Sequence, residues 1–302
     1  MCRRQAGGSQ MRSSARQDHI TVPIFMSLVP LCAILRQENA GFCTDNDHTG
    51  KRGKMSEQDK PTPDISSLFD AYIYRNLIRS LLARKQGTVI FLPEHNGAVL
   101  LWGPSVFIGG TFSPSNGESV VSLLADSGSP RYLNLPDERW ESFIKRTFSD
   151  KLKDRYLHLY QSDFTNITAL NVDIDRIVPI TRDFMEKHLP DTELIVDELY
   201  SYTNMEDFYQ NGFGVALVID GVVSGYCLSE YSIDNSLGVN IWINEKFRGA
   251  GYARNMVNVF LAHCREQGLT AYWVCNADNI RSNKVAVSAG FVLKSAMRFW
   301  EV

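Results

Sequence analysis

Residues 238–291 constrain the fold of this chain more than any other stretch. They open with Gly238-Val239-Asn240-Ile241-Trp242-Ile243, where Val239, Ile241 and Ile243 alternate with other residues. That is the period-two signature of a strand. Asn244 to Phe247 break the run, and Arg248-Gly249-Ala250-Gly251 follows. From Tyr252 a helical period sets in, with Met256, Val259, Phe260, His263 and Cys264 at three- and four-residue steps. Gly268 ends that helix. A second strand is expected at Ala271 to Cys275, and a second helix from about Asn279 to Ala289, closed by Gly290-Phe291. Strand, glycine loop, helix and strand in succession make an anion-binding arrangement. Glycines let backbone N–H groups point at one ligand without side-chain clash. The helix start adds unpaired donors and a partial positive charge, to which a pyrophosphate is suited.

Spacing decides among three pyrophosphate loops. A P-loop needs Gly-Lys-Ser/Thr before the helix, and here Gly251 is followed by Tyr252 and Ala253. A dinucleotide fingerprint needs a third glycine where Arg254 stands. It also needs the glycines directly after the strand and an acidic residue ending the next one, and the chain has neither. The third pattern fits: Arg248-x-x-Gly251-x-Ala253 after a strand resembles the acyl-CoA loop of the GNAT superfamily of N-acyltransferases. Asn279 also precedes Gly290-Phe291 by the interval usual in that superfamily. Tyr272-Trp273-Val274-Cys275-Asn276, then Asn279 and Ser282, is similar to a Trp-x-Cys…Asn-x-x-Ser pattern. That pattern belongs to a two-domain bacterial GNAT branch that includes zwittermicin-type resistance acetyltransferases. Asp207 to Gly214 resembles the same branch. The superfamily resemblance covers about residues 165–302, and the branch resemblance reaches weakly back to about residue 64.

The resemblance implies an α/β (α+β) protein. It would have a C-terminal GNAT fold, whose mixed, mostly antiparallel sheet is flanked by helices, and a smaller N-terminal α/β domain. It implies acetyl-CoA as co-substrate, with no metal. The pyrophosphate would lie on Arg248, Gly249, Ala250, Gly251, Tyr252 and Ala253. Backbone groups of Ile241, Trp242 and Ile243, freed where the core strand parts from the next, would polarise the thioester carbonyl. Asn279 and Ser282 would meet the pantetheine arm. The reaction implied is transfer of an acetyl group to a primary amine of a small molecule, by direct attack in a ternary complex. The alternative is a non-catalytic acyl-CoA-binding sensor or scaffold. Aminoacyl transfer from a charged tRNA is a third reading, against which the charge of the body argues.

Before it attacks, the amine must lose a proton, since an alkylammonium titrates near ~10. The core strand offers Asn240 and Trp242, neither of them basic. Glu230, ending the neighbouring strand, is the first choice of general base, with Asp197, Glu198 and Glu245 behind it. The superfamily's usual acid, a Tyr seven residues after the Asn, is replaced by Ala286, so Tyr272 and Tyr226 are the substitutes.

Charge and cysteines bound the partners. Residues 1–54 hold eight Lys/Arg against four Asp/Glu, and the remainder 23 against 30, so the body is acidic. An acidic body argues against nucleic acid as the main partner. The six cysteines show no Cys-x-x-Cys spacing, which argues against zinc and suits reduced thiols in the cytoplasm. Ile20 to Leu35 is apolar but short for a membrane span and interrupted by Pro23 and Pro30. Residues 1–54 read as a disordered or upstream extension, with Met55 as the natural start. Residues 55–163 read as the N-terminal domain and 164–302 as the acetyltransferase domain. No membrane partner is expected, and the sequence carries no signal for or against self-association.

Within the first domain, 64–84 reads as a helix, and 88–92 and 98–102 as a hairpin around Asn96-Gly97. Residues 103–130 read as loop-rich, 136–153 as a helix and 155–160 as a strand. The block carries no catalytic constellation and looks like a cover that shapes a substrate cleft. His95 reads as a solvated turn residue, and Asn166-Ile167-Thr168 as a glycosylation pattern without consequence in a cytoplasmic protein.

Overall fold

A computed structural model describes residues 64–93, 96–125, 131–164 and 174–302. The expectations for residues 1–54, His95 and Asn166 lie outside the described residues. The chain enters on a 3-10 turn, Ile65–Phe69, capped by the Asp64 carboxylate on Ser66 N. It continues as α1 (Arg75–Ala83), β1 (Thr88–Phe91), β2 (Gly97–Trp102), β3 (Ser105–Gly110), α2 (Pro114–Ala125), β4 (Tyr132–Asn134), α3 (Glu138–Phe148) and β5 (Lys153–Ser162). The second half runs β6 (Ile177–Pro179), α4 (Arg182–Met185), α5 (Glu193–Glu198), α6 (Met205–Asn211), β7 (Gly214–Ile219), β8 (Val222–Ile233), β9 (Ser236–Ile243), α7 (Tyr252–Glu266), β10 (Thr270–Asn276), α8 (Ile280–Ser288) and β11 (Phe291–Glu301).

Among the described residues, eleven strands join one sheet, in the order β1-β2-β3-β4-β11-β5-β10-β9-β8-β7-β6. Only β3·β4 and β9·β10 pair in parallel. The expected mixed, mostly antiparallel sheet flanked by helices is therefore present. Strand β5, read from sequence as the end of the first domain, lies between β10 and β11. Its ladder with β11 runs from Phe291↔Ser162 to Glu301↔Lys153. The sheet is continuous across residue 163, and α1 packs on β8 and β9 of the second half. Polar links hold that contact: Asn76 Nδ2 donates to Ser236 Oγ at 2.8 Å, and Arg84 Nε to Asp207 Oδ2 at 3.2 Å. No helix of the described residues is long and apolar enough to cross a membrane.

Two departures from the sequence reading have clear causes. The helix expected over 64–84 is broken at 70–74. There Tyr72 and Tyr74 turn inward, and their hydroxyls donate to Asn134 O and Asn134 Oδ1, both at 2.5 Å. Tertiary burial of two tyrosines overrides a weak helix preference. Of the stretch 103–130 expected as loop-rich, the described residues 103–125 hold β3 and α2, because Val106, Ile108, Val120 and Leu124 share one core with Trp140 and Ile144. The hairpin of β7 and β8 turns at Asp220 (φ 52) and Gly221 (φ 78), the two positive φ values that a type I′ turn requires.

The two faces of the sheet are used differently. Val239, Ile241 and Ile243 pack with Met256, Phe260 and Cys264 of α7. On the opposite face Tyr226, Leu228 and Trp242 meet the short helices α4 to α6. Also on that opposite face, Leu157, Tyr231 and Val274 meet α1.

Candidate active site

The site begins where β9 and β10 part. Their parallel pairing covers only Thr270↔Ser236, Ala271↔Leu237 and Tyr272↔Gly238. Beyond it β9 pairs with β8 alone, and β10 with β5. Asn244 N donates to Ser224 O on β8. Since backbone groups alternate sides along a strand, Trp242 and Asn240 also face β8, whereas Ile241 and Ile243 face the gap. The backbone groups that face the gap over 241–243 are thus those of Ile241 and Ile243, of which the Ile243 carbonyl accepts from Arg248. Trp242 is corrected out of that role by its register with Tyr226.

At the open end of the gap stands the glycine loop. Gly249 and Gly251 take φ 80 and 87, and a Cβ on either would meet nothing within 4 Å. A left-handed turn beside open space is where glycine is required and where a ligand can approach backbone. Gly251 caps α7 without a side-chain hydrogen bond, so the cap residue itself brings no side-chain acceptor to the first turn of this fifteen-residue helix. Tyr252 and Ala253, half-buried, pack their side chains on the core. Ala250 is exposed. The arrangement fits an acyl-CoA pyrophosphate. Arg248 is placed differently from expectation. Its Nε donates to Ile243 O at 3.0 Å and its Nη1 pairs with Glu245 at 2.6 Å, so its guanidinium braces the loop from the gap side.

On the far side of the sheet the same seam meets a cavity of about 60 Å³. Tyr74, Leu77, Trp102 and Phe107 from the first half wall it on one side. Leu157, Tyr231, Gly238, Tyr272 and Val274 close the other. Gly238 lies between Glu230 on β8 and Tyr272 on β10 in register, so both catalytic candidates flank one residue without a side chain. A Cβ on Gly238 would sit 3.5 Å from the Tyr231 ring and 3.6 Å from Glu230 Cβ. A bulge in β8 after Glu230 puts Tyr231 at φ 49, a costly backbone state for a buried aromatic. Bulges of this kind re-aim side chains beside active sites. Here Tyr231 turns onto the cavity, edge-on to Trp102 with ring centroids 5.8 Å apart.

Behind that wall two carboxyls share a polar chain. Tyr200 Oη donates to Glu230 Oε1 at 2.7 Å, and Asn240 Nδ2 donates to Glu198 Oε2 at 3.1 Å. Glu230 is 1% exposed. Burial first, then the nearby Glu198, pushes its carboxyl up to about 8, although the Tyr200 hydroxyl pulls the other way. Burial likewise raises Glu198 to about 7, against the pull of Asn240 and Tyr226. Tyr226, the second substitute acid, is buried, stacks on Trp242, and is held neutral first by burial and then by Glu198. Of the weaker base candidates, Glu198 joins the site, whereas Asp197 is exposed and Glu245 is spent on Arg248. Asn240, passed over for lacking a base, is the link beside both acids. Its signal in the sequence was a polar residue on the apolar core strand.

Ser282 does not stand free for a pantetheine arm, and Asn279 has its side-chain oxygen engaged in a helix cap. Asn279 Oδ1 caps α8 by accepting from Ser282 N at 3.1 Å. Ser282 is 1% exposed, and its Oγ accepts from Trp273 Nε1 at 2.9 Å. Their spacing therefore works as a clip between β10 and α8, with buried Cys275 beside it. Ser282→Ala should leave the indole N–H buried without an acceptor, a loss of about 1–3 kcal/mol. The melting temperature should fall by roughly 2–4 °C per kcal/mol, while acyl-CoA binding stays intact. Lost binding at unchanged stability would return Ser282 to the cofactor. Among the described residues, no group of three or more His, Cys, Asp or Glu is placed to hold a metal ion.

This geometry agrees with comparisons to known proteins. Residues 66–299 match the family model described as GNAT acetyltransferase. Over 90 residues the chain is 31% identical to an uncharacterised N-acetyltransferase, YdfB, of Bacillus subtilis (strain 168). That match takes in 30% of this chain and about a third, 34%, of that relative's length. Its fold is similar to the GCN5-related N-acetyltransferase-like protein of Streptococcus suis 89/1591 (TM-score 0.56, 18% identity), covering 80% of this chain and 97% of that one. A GCN5-related N-acetyltransferase of Kribbella flavida is similar at TM-score 0.51 and 12% identity, covering 76% and 95%. With a family model spanning most of its length, parted strands and a glycine loop at their open end, the chain belongs to the GNAT acetyltransferase family.

Proposed function

We propose that this protein moves an acetyl group from acetyl-CoA to a primary amine of a small molecule in the cytoplasm, by direct attack in a ternary complex. The observation that carries this reading is the seam where β9 and β10 part, with the glycine loop on one face and the cavity on the other. When bound, acetyl-CoA supplies the acyl group as a thioester. Gly249 to Ala253 and the first turn of α7 hold the pyrophosphate. The Ile241 N–H faces the gap and is free to polarise a carbonyl oxygen, a contribution that grows in a dry site. The apolar cavity wall keeps water out. Glu230, with Glu198 behind it, takes the ammonium proton past Gly238, and Tyr272 stands on the opposite strand to protonate the leaving thiolate. The Trp273–Ser282 clip and its sequence pattern support membership of the two-domain, zwittermicin-type branch. Neither a nucleic acid nor a membrane has a place in this scheme.

Two measurements test it. Acetyl-CoA should raise thermal stability, by about 2.7 kcal/mol at a hundred times its dissociation constant. Free CoA should then appear only when an accepted amine is added. If no acyl-CoA shifts the melting temperature, the reading fails. A shift without CoA release for any amine would leave an acyl-CoA-binding module instead.

A further inference from the structure

The cavity on the far face of the seam also identifies the kind of acceptor. Its wall carries no charged side chain. Four uncharged polar residues other than tyrosine line it, and three are already engaged. Asn76 Nδ2 donates to Ser236 Oγ, Ser236 Oγ donates to Ile233 O, and Asn134 Oδ1 accepts from Tyr74 Oη. The fourth is Ser105, at the turn between β2 and β3. It is 1% exposed, and its Oγ has no hydrogen-bond partner. Apart from the hydroxyls of Tyr74, Tyr231 and Tyr272, everything else facing the space is aromatic or aliphatic, with Tyr74, Trp102, Phe107, Tyr231 and Tyr272 supplying the aromatic surface. At about 10–15 Å³ per water, the 60 Å³ cavity has room for a handful of waters or one ring.

A hydroxyl-rich sugar, a polyamine or an amino acid would have to desolvate several polar or charged groups here, with one serine, a few tyrosine hydroxyls and no charged side chain to receive them. Each group left unpaired carries a penalty. An aromatic ring loses nothing comparable and is favoured by the apolar burial.

We propose that the cavity takes the ring of the acceptor. The substrate class is then a primary amine on a short alkyl arm, attached to an aromatic ring bearing one hydrogen-bonding group that meets Ser105 Oγ. The ring lies between α1 and the sheet, and the amine points to Gly238, where the strands part. This rests on the acyl-transfer reading for the amine, while the ring site stands on the cavity alone. The first half of the chain thereby supplies specificity, through Tyr74, Trp102 and Ser105.

The test has a binding arm and a transfer arm. Calorimetry should show that the full chain binds p-cresol, a ring without an amine, more tightly than toluene. Ser105→Ala should erase that preference, a loss of about 3- to 10-fold for p-cresol, and leave toluene unchanged. Gly238→Val adds a strand-compatible side chain at the cavity floor, and Val274→Phe fills it from β10. Either should weaken both rings by at least about tenfold, and the second serves if the first misfolds. With acetyl-CoA, tyramine should exceed spermidine and glucosamine in kcat/KM by at least about tenfold. Absence of ring binding to wild type overturns the proposal, as does transfer to spermidine or glucosamine that matches tyramine. Ring binding with no CoA release for any amine would keep the ring site and sink the acyl-transfer reading.

Discussion

Glu230→Gln should slow transfer to an accepted amine by about 10²- to 10⁴-fold, the usual worth of a positioned base. Acetyl-CoA should still stabilise the variant, because Glu230 lies on the face of the sheet away from the glycine loop. The wild-type rate should climb through the neutral range as the acid pair deprotonates. Burial raises Glu198 to about 7 and Glu230 to about 8, so the two titrate as a pair whose apparent values belong to both. The variant should lose the upper limb, and its deficit should shrink at high pH, where the free amine forms unaided. Stability should show the opposite sign. A carboxyl raised in the fold above its unfolded value of ~4.3 contributes stability below that value, and the contribution is lost as pH climbs to about 8. Glutamine does not titrate. Glu230→Gln should therefore match wild type near pH 4 and become the more stable of the two above pH ~8, by on the order of a few kcal/mol. Identical pH–rate profiles for the two proteins would remove Glu230 from the mechanism.

Gly251→Val should abolish the thermal shift given by acetyl-CoA. The added side chain would fill the open space at the start of α7, where the phosphates are expected. It must also adopt φ near 87, which costs an L-residue roughly 1–2 kcal/mol and a β-branched one more. Strain alone would lower the melting temperature without a ligand, so a control is needed. Gly221 has φ 78, meets nothing within 4 Å, and sits in the β7–β8 turn. Gly221→Val should carry a similar strain and keep the whole acetyl-CoA shift. If Gly251→Val also keeps it, the loop is not the phosphate cradle.

The residues legible in advance were those whose role is local. Glycines in a strand-to-helix turn declare themselves by spacing, and so did the alternation of Val239, Ile241 and Ile243. Glu230 was expected to end its strand, whereas β8 continues past a bulge to Ile233, so Glu230 sits within the strand beside Gly238. What spacing could not show is where polar side chains turn once the elements pack. Ser282 meets Trp273 in the core, Asn240 meets Glu198 from α5, and Arg248 turns back onto Ile243. The cavity was hidden because its wall draws on elements far apart in the chain, α1, β2, β3, β4, β5, β8, β9 and β10 together. The bulge at Tyr231 left no mark in composition, yet it decides which residues look into the cavity.

The position of β5 bears on how the protein is made. Strand Lys153–Ser162 leaves the ribosome roughly a hundred residues before β10 begins at Thr270, and its other neighbour, β11, is made last among the strands. At about 5–20 residues per second, both edges of β5 wait on the order of ten seconds for their partners. During that interval the nascent chain presents an unpaired strand carrying Leu157, Leu159 and Tyr160, a template for pairing with another chain. A premature stop before Phe291 would leave at least the β11 edge of β5 open indefinitely. Such products should go to chaperones and proteases, rather than accumulate as a shortened but working enzyme.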